Sequence, residues 1–553
     1  SVNEESGQPL AVNFFSPEGL YVDDESLLIS VNDDKALRVS ATSPLSIKSK
    51  AAYISKEFSK FSEAAAVTLS HGDKGASAIE LGIDINYSKQ VLHEVVYRGF
   101  GPTQLLEAGD WFFDDDYPGN VCHHIMSLRW LGEVKSTSVK ARILRSFIAY
   151  HGSSEKTHSR YYLGRSADHT TSIRLAELLA ALKDTKNDAE LKSLLRRELA
   201  KNIRSCFKST YKENNNHGLM VDKAILLCLI KDKWLLEKFG TEVSFVISRV
   251  EKQLDGIFDK EGYCKEHSTS YQEYNLGIAL DLLDVMESGR GLGFDPQIDD
   301  LRSRVEQIKV ASRKALGFLL KDDGTYVTVG DSFPQPKPGI LEKAFGSRDP
   351  KTALLPESEQ HGVFYNKTLG ISVYRDNNIH LVLNASWHSY VHKQNDDLNV
   401  FLRVGGEDVF VEGGYSDILS SKDIDTKSEL LHSTVTVSNT PWLGRGDVGK
   451  GSSFLSEPEN EKESGTVTFF GEHTRVKGSC VKRCVTIKPA EGRIIIKDSV
   501  ESLKDCLHRF VVPKDVSVEV SGRECRLFSQ GYNLKLFFES GEVDSFKTWE
   551  VSD

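Results

Sequence analysis

Hydrophobic positions along the chain change their period twice. In the first hundred residues apolar and polar side chains alternate in short runs, as in Leu27-Leu28-Ile29-Ser30-Val31 and Ala78-Ile79-Glu80-Leu81-Gly82-Ile83-Asp84-Ile85. Gly, Asp and Asn punctuate these runs, which predicts a small β-rich accessory domain over 1–104. From 105 to 345 the spacing becomes three-and-four. Ile173, Ala176, Leu178, Leu179 and Leu182 share one face, and Leu276, Ile278, Leu280, Leu282, Leu283 and Val285 follow the same habit. Serial helices of this length joined by polar loops predict an α/α toroid or helical bundle. No fixed-period repeat is present, which argues against a regular solenoid. From 346 to 553 alternation returns in Ile371-Ser-Val-Tyr, His380-Leu-Val-Leu, Thr466-Val-Thr-Phe-Phe and Asn533-Leu-Lys-Leu-Phe-Phe. Many strands with turn signals between them predict a large antiparallel β-sandwich. The fold class is therefore multidomain α+β, a helical toroid followed by a sandwich, behind a small β-domain.

Composition narrows the partners more than the fold. At 553 residues the chain is long for one core. No apolar run approaches the length that spans a bilayer. The chain opens Ser1-Val2-Asn3-Glu4-Glu5, without a charged and then apolar leader. A net charge of −11 argues against nucleic acid, because phosphate binding needs clustered Lys and Arg. An anionic glycan stays open, since a basic cleft can sit on an acidic protein. Of the eight cysteines none forms a CxxC knuckle. Cys206 and Cys228 lie in helical patterns and read as core. Cys480 and Cys484 are candidates for a bridge only in an oxidising compartment.

Residues 392–415 carry the most information. The strand Val400-Phe401-Leu402-Arg403-Val404 turns at Gly405-Gly406 and returns through Val409 and Val411, a hairpin signature. Polar residues crowd before it: His388, Tyr390, His392, Gln394, Asn395, Asp396 and Asp397. A hairpin needs none of them. The block resembles the β-domain of the heparinase II/III-like polysaccharide lyases, where a His-x-His-x-Asp-x-Leu-Ser-Phe run leads into a strand, a Gly turn and a Val-Asp-Pro-Gly-Thr-Tyr-like strand. Helical toroid followed by sandwich is also that family's order, and Val329-Gly330-Asp331-Ser332 resembles its Gly-Asp turn near the domain junction.

Two polar islands in the helical region extend the resemblance. Asn214-Asn215-Asn216-His217-Gly218 reads by itself as a helix-entry loop. It also resembles the Asn-Asn-His-Gly element of these lyases, which implies that Asn216 and His217 neutralise a uronate carboxylate. Glu266-His267-Ser268-Thr269-Ser270-Tyr271 reads as a capping segment. It resembles the Glu-x-Ser-x-x-Tyr element whose Tyr is the catalytic base or acid, here Tyr271 and not Tyr274. Asn-His, then Tyr, then His392 stand in the family's order. By the same resemblance Arg174, Glu266, His267 and Tyr390 are substrate-binding candidates. Arg160 and Arg165 lie upstream of Arg174 and read equally as solvated helix ends.

The chemistry explains these residue types. Elimination from a 4-linked uronate removes the C5 proton beside a carboxylate, so a group that neutralises the carboxylate is the largest electrostatic help. Tyr271 would take that proton or give one to the departing O4. As a base it would need cations nearby to lower a pKa ordinarily near 10. His392 would act from the opposite face of the sugar or assist Tyr271.

Relatives hold a structural divalent ion with His, Asp and His at the places of Gln394, Glu412 and His432. Gln for His shifts the expectation from zinc toward calcium or no ion, and no organic cofactor is expected. The leading expectation is a lyase of an anionic uronate-containing glycan: glycosaminoglycan, alginate or exopolysaccharide. A uronyl C5-epimerase, a non-catalytic glycan-binding protein of polysaccharide assembly, and a hydrolase using Glu266 and Asp331 are the alternatives. The family implies a periplasmic or secreted setting, with a cytoplasmic one open.

Overall fold

The computed structural model describes the chain from Trp111 to Phe537 apart from 155, 164–166, 186–187, 208–214, 355–360, 386–391, 416–426, 444–451, 502–504, 522 and 530–532. Before Trp111 it describes strands alone, with the side chains of Glu94 and Val95. These are β1 (Val12–Phe15), β2 (Ser26–Val31), β3 (Lys35–Ser40), β4 (Ala64–His71), β5 (Ile79–Asn86), β6 (Val91–Tyr97) and β7 (Phe100–Leu106). They pair antiparallel as β1-β3-β2, β4-β5 and β6-β7.

The chain falls into two compact units, Ser1–Tyr211 with Asp232–Lys238, and Lys212–Lys231 with Phe239–Asp553. In the first lie helices α1 (Gly119–Met126), α2 (Thr137–Gly152), α3 (Asp168–Asp184) and α4 (Ala189–Cys206). Their buried stripes, such as Leu175, Leu178, Leu179 and Leu182 against Leu191, Leu195 and Leu199, match the three-and-four spacing of the sequence. Arg174 is 0% exposed in this core. Its guanidinium donates to Asn202 Oδ1 at 2.9 and 3.1 Å, to the Met126 carbonyl at 2.8 Å and to the Tyr162 carbonyl. The expected substrate contact is thus replaced by a structural one: the side chain supplies donors to buried main-chain carbonyls and to Asn202.

The second unit begins with α5 (Asn216–Lys231) and continues after α6 (Lys233–Phe239) with α7 (Val243–Ile257), α8 (Thr269–Glu287), α9 (Asp295–Leu319), α10 (Pro338–Phe345) and α11 (Pro350–Leu354). An antiparallel sheet follows, ordered β12-β11-β10-β9-β8, from β8 (Gly362–Asn366), β9 (Ile371–Arg375), β10 (Ile379–Asn384), β11 (Asn399–Val404) and β12 (Glu407–Phe410). A second sheet contains β13 (Ser453–Leu455), β14 (Thr466–His473), β15 (Cys480–Lys488) and β16 (Arg493–Glu501).

Every residue of β9 and β10 is buried, so they alternate between two cores instead of between core and water. One face, with Leu381, Leu383, Val400 and Leu402, packs on Val467, Phe469, Val481 and Val485 of the second sheet to form the sandwich. The other, with Val373, Val382 and Phe401, packs on Ala311, Ala315 and Leu319 of α9. The sheet also ends that helix. His380 Nε2 lies 2.8 Å from the Phe318 carbonyl, and Arg375 donates to the Gly317 and Leu320 carbonyls, satisfying last-turn acceptors that the helix leaves over.

Cys206 and Cys228 are buried, as expected of core residues. Cys480 and Cys484 stand on one face of β15, four residues and so about 13 Å apart along an extended strand, far beyond bridging range. Their expected pairing is corrected accordingly.

Candidate functional site

The site grows from the start of α8. Ser268 caps the helix, its Oγ accepting from the Tyr271 amide at 3.3 Å, while the same hydroxyl donates to the Asp331 carbonyl at 2.8 Å. Thr269 Oγ1 donates to the Val327 carbonyl at 2.8 Å, and the Ser270 amide donates to Ser332 Oγ at 3.2 Å. Three successive hydroxyl residues thus fasten the first turn to the segment 327–332. Within that segment Gly330 has φ +61°, and a Cβ there would collide with the His267 carbonyl and reach the His392 carbonyl. Only glycine fits this close crossing of three backbones. The Asp331 amide then donates to the His392 carbonyl at 3.1 Å, which brings the β-domain residue to the helix.

His392 and Tyr271 stack, ring centroids 3.4 Å apart and planes 18° from parallel. Each ring nitrogen of His392 faces a carboxylate: Nδ1 is 3.3 Å from Asp331 Oδ2, and Nε2 is 3.5 Å from Glu266 Oε2. Asp331 is nearly buried, yet His392, the Gln394 amide at 3.0 Å and the Lys427 ammonium at 3.2 Å hold its carboxyl below the usual range despite burial. Glu266 behaves oppositely. Burial pushes its carboxyl up, against the opposing pull of His392, Asn275 and His217. Burial and then the Glu266 charge also push the Tyr271 phenol up. A base role would need cations to lower this phenol; burial, Glu266, Tyr274, Asp331 and Tyr415 raise it instead.

Asn215, not Asn216, caps α5: its side-chain oxygen accepts from the Gly218 amide at 3.1 Å. Asn216 is buried in the first turn and His217 is exposed beside it, near enough for its charge to act on Glu266. The Tyr274 hydroxyl reaches Met220 Sδ at 3.5 Å, joining α5 to α8. Of the residues expected at the site, the structure brings together His217, Glu266, Tyr271 and His392. His267 is buried, and its carbonyl serves the backbone crossing at Gly330. Arg174 belongs to the core of the first unit, and Arg160 lies on that unit's surface, 3.6 Å from Asp114. Tyr390, His388 and Arg165 lie outside the described residues. Asp331 was legible as a Gly-Asp turn, whereas nothing in Asp425-Thr426-Lys427-Ser428 marks Lys427 as a neighbour of Asp331.

Of the three expected cation ligands, Glu412 and His432 meet, and the side chain of Gln394 is buried. His432 Nδ1 is 2.9 Å from Glu412 Oε1, off the direction of a hydrogen bond, and Asn399 donates to the other Glu412 oxygen. Gln394 gives its amide protons to Asp331 and to the Gly414 carbonyl at 2.9 Å, leaving Oε1 without a hydrogen-bond partner among the described residues. Glu412 and His432 thus form a buried ion pair, and His432 Nε2 is likewise without a hydrogen-bond partner among the described residues. Among the described residues no three His, Cys, Asp or Glu side chains form a metal cluster, so any such site depends on the Gln394 carbonyl.

Residues 361–548 match the family model "Heparinase II/III-like, C-terminal". No curated protein sequence matches the chain. Among solved structures, a heparinase III with methylated lysines superposes with a TM-score of 0.58 at 15% identity, covering 80% of this chain and 74% of that one. The heparan sulfate lyase HepC from Pedobacter heparinus gives 0.52 at 14% identity, covering 88% and 80%. A further heparinase III crystal structure gives 0.55 at 13% identity, covering 77% and 71%. At such identities the likeness is one of fold, helical toroid followed by β-sandwich. Residues 361–548 are thus similar to the heparinase II/III-like C-terminal domain, and most of the chain shares the fold of the heparinase III structures.

Proposed function

We propose that this protein is a polysaccharide lyase that breaks a uronate-containing glycan by β-elimination, with His392 as base and Tyr271 as acid. The stacked Tyr271–His392 pair, bracketed by Asp331 and Glu266, is the observation that carries this reading. Asp331, held ionised, orients His392 through Nδ1 and leaves Nε2 to accept the C5 proton, the arrangement by which a carboxylate fixes a catalytic imidazole. At 3.5 Å the Glu266 contact is too long for a good hydrogen bond, so Nε2 is only loosely engaged. The protonated Tyr271 phenol then gives its proton to O4 as the C4–O4 bond breaks. Asn216 and His217 stand at the N-terminal, positive end of α5, where a substrate carboxylate is favoured.

The stacking also bears on the alternatives. Both proton-handling groups stand on one side, which suits uronates whose C5 hydrogen and O4 share a face, as in glucuronate. An epimerase would need its second donor on the opposite face. A hydrolase would need a sugar and water between Glu266 and Asp331, where the His392 ring lies. The fold shared with a heparan sulfate lyase supports a glycosaminoglycan-type substrate over alginate.

We further propose a structural divalent cation, zinc or calcium, held by Glu412, His432 and the Gln394 carbonyl; the imidazole nitrogen suits zinc better than calcium. It would tie together the strands behind the site, and no step of the elimination runs through it. Chelator treatment is expected to lower the thermal midpoint and zinc or calcium to restore it; an unchanged midpoint contradicts the cation.

Product masses test the main reading. Glucuronate oligosaccharides cut by elimination give fragments that sum to the substrate without added water. Fragments that include water would mean hydrolysis, and an intact, C5-deuterated substrate in heavy water would mean epimerisation.

A further inference from the structure

Exposed single aromatics are ordinary on protein surfaces, so position must decide whether one matters. Phe333 is 47% exposed and lies two residues beyond Asp331. Its amide donates to Ser270 Oγ at 2.9 Å, and Ser270 immediately precedes Tyr271. The preceding residue, Ser332, is bonded to Ser268 and Ser270 through its hydroxyl and to the Tyr415 amide through its carbonyl at 2.9 Å. The backbone of this exposed ring is thus pinned by the same serines that hold the catalytic turn. The Phe333 and Tyr415 rings meet edge to face, centroids 5.5 Å apart, and the Tyr415 hydroxyl is close enough to act on Tyr271.

We propose that Phe333, backed by Tyr415, is a stacking platform for the sugar ring next to the reacting uronate. The proposal rests on the lyase reading above. Pyranose C–H groups carry slight positive charge and pack on the negative face of an aromatic ring. Tyr415, and not Phe333 itself, borders a cavity of about 190 Å³ lined also by Thr328, Ser332, Pro334, Lys321, Asp408 and Glu412. Ligand pockets usually run from about 300 Å³ upward, so this one takes a single ring or part of one. The Lys321 ammonium is spent on Asp408 at 3.0 Å and Asp323 at 3.5 Å. Among the described residues the lining offers ring faces, hydroxyls and the carboxylates of Asp408 and Glu412, and its ammonium, on Lys321, is already paired.

The test measures binding by calorimetry in the Tyr271→Phe protein, which retains the platform and cannot donate the proton. The ligands are tetrasaccharides of hexuronate alternating with N-acetylhexosamine, and of hexuronate alone. Adding Phe333→Ala is expected to weaken binding about tenfold, with the thermal midpoint unchanged, whereas Phe333→Tyr stays within about twofold. In the active protein the same Phe333→Ala change is expected to raise KM and leave kcat nearly alone. Binding indifferent to Phe333→Ala, or equally weakened by Phe333→Tyr, overturns the platform and leaves the lyase reading standing. Absence of binding by the Phe333-intact protein overturns both.

Discussion

His392 holds a left-handed backbone, φ 60°, which costs a non-glycine residue about 1 kcal/mol. Its carbonyl receives the Asp331 amide, its ring lies between two carboxylates, and Tyr271 covers one face, so the surroundings over-determine the conformation. Arg174 gives the contrasting case. A cation was legible in the sequence, but its burial was not, because an arginine that will satisfy main-chain carbonyls looks the same as one that will meet a carboxylate. Arg174→Ala is expected to cost at least roughly 3 kcal/mol in denaturant unfolding, by removing the guanidinium donors to the Met126 and Tyr162 carbonyls and to Asn202 Oδ1, without a specific rise in KM. A rise in KM at unchanged stability would return Arg174 to the substrate. Tyr271 was legible by its motif. Its raised pKa was not, since that depends on Glu266, Tyr274, Asp331 and Tyr415 arriving from other segments.

At the scale of elements, three backbone segments cross where α8 begins, and Gly330 is the residue that lets them. Gly330→Ala is expected to lower stability by at least roughly 2 kcal/mol and to separate His392 from Tyr271, abolishing activity even in the folded fraction. Activity retained in a folded Gly330→Ala protein would mean that the crossing does not set the site. The helix at Thr269–Glu287 was legible from its spacing and its serine cap. The all-buried strands β9 and β10 were legible as strands, but their second core was not, because alternation cannot tell which partner covers a face. The island Asn214–Gly218 was both things at once: Asn215 caps the helix and His217 stands exposed beside Glu266.

At the scale of the molecule, the residues of the proposed reaction all lie in the unit that joins 212–231 to 239–553, although they are scattered from Asn216 to Lys427. Among the described residues no helix is long and apolar enough to cross a membrane. In that unit His473 and His380 are buried where the charged ring is disfavoured. Burial pushes His473 down to about 4 and His380 down to about 3. A histidine depressed below its unfolded value contributes stability that is present above about pH 6.5 and lost as pH falls toward the folded value. Thermal midpoints are therefore expected to decline from pH 6.5 to 4, His473 alone accounting for up to roughly 3 kcal/mol. His473→Gln should flatten that decline, and an undiminished slope would place the effect elsewhere.

The central claim is that Tyr271 and His392 carry out an elimination. The most direct measurement is ultraviolet absorbance of the conjugated C4–C5 double bond during incubation with unsulfated and sulfated glucuronate polymers. Tyr271→Phe, His392→Ala and Phe333→Tyr would be run beside the unaltered chain. The account predicts a rise for the unaltered protein and for Phe333→Tyr, and none for Tyr271→Phe or His392→Ala at equal thermal stability. An undiminished rise with either of those two variants would contradict it.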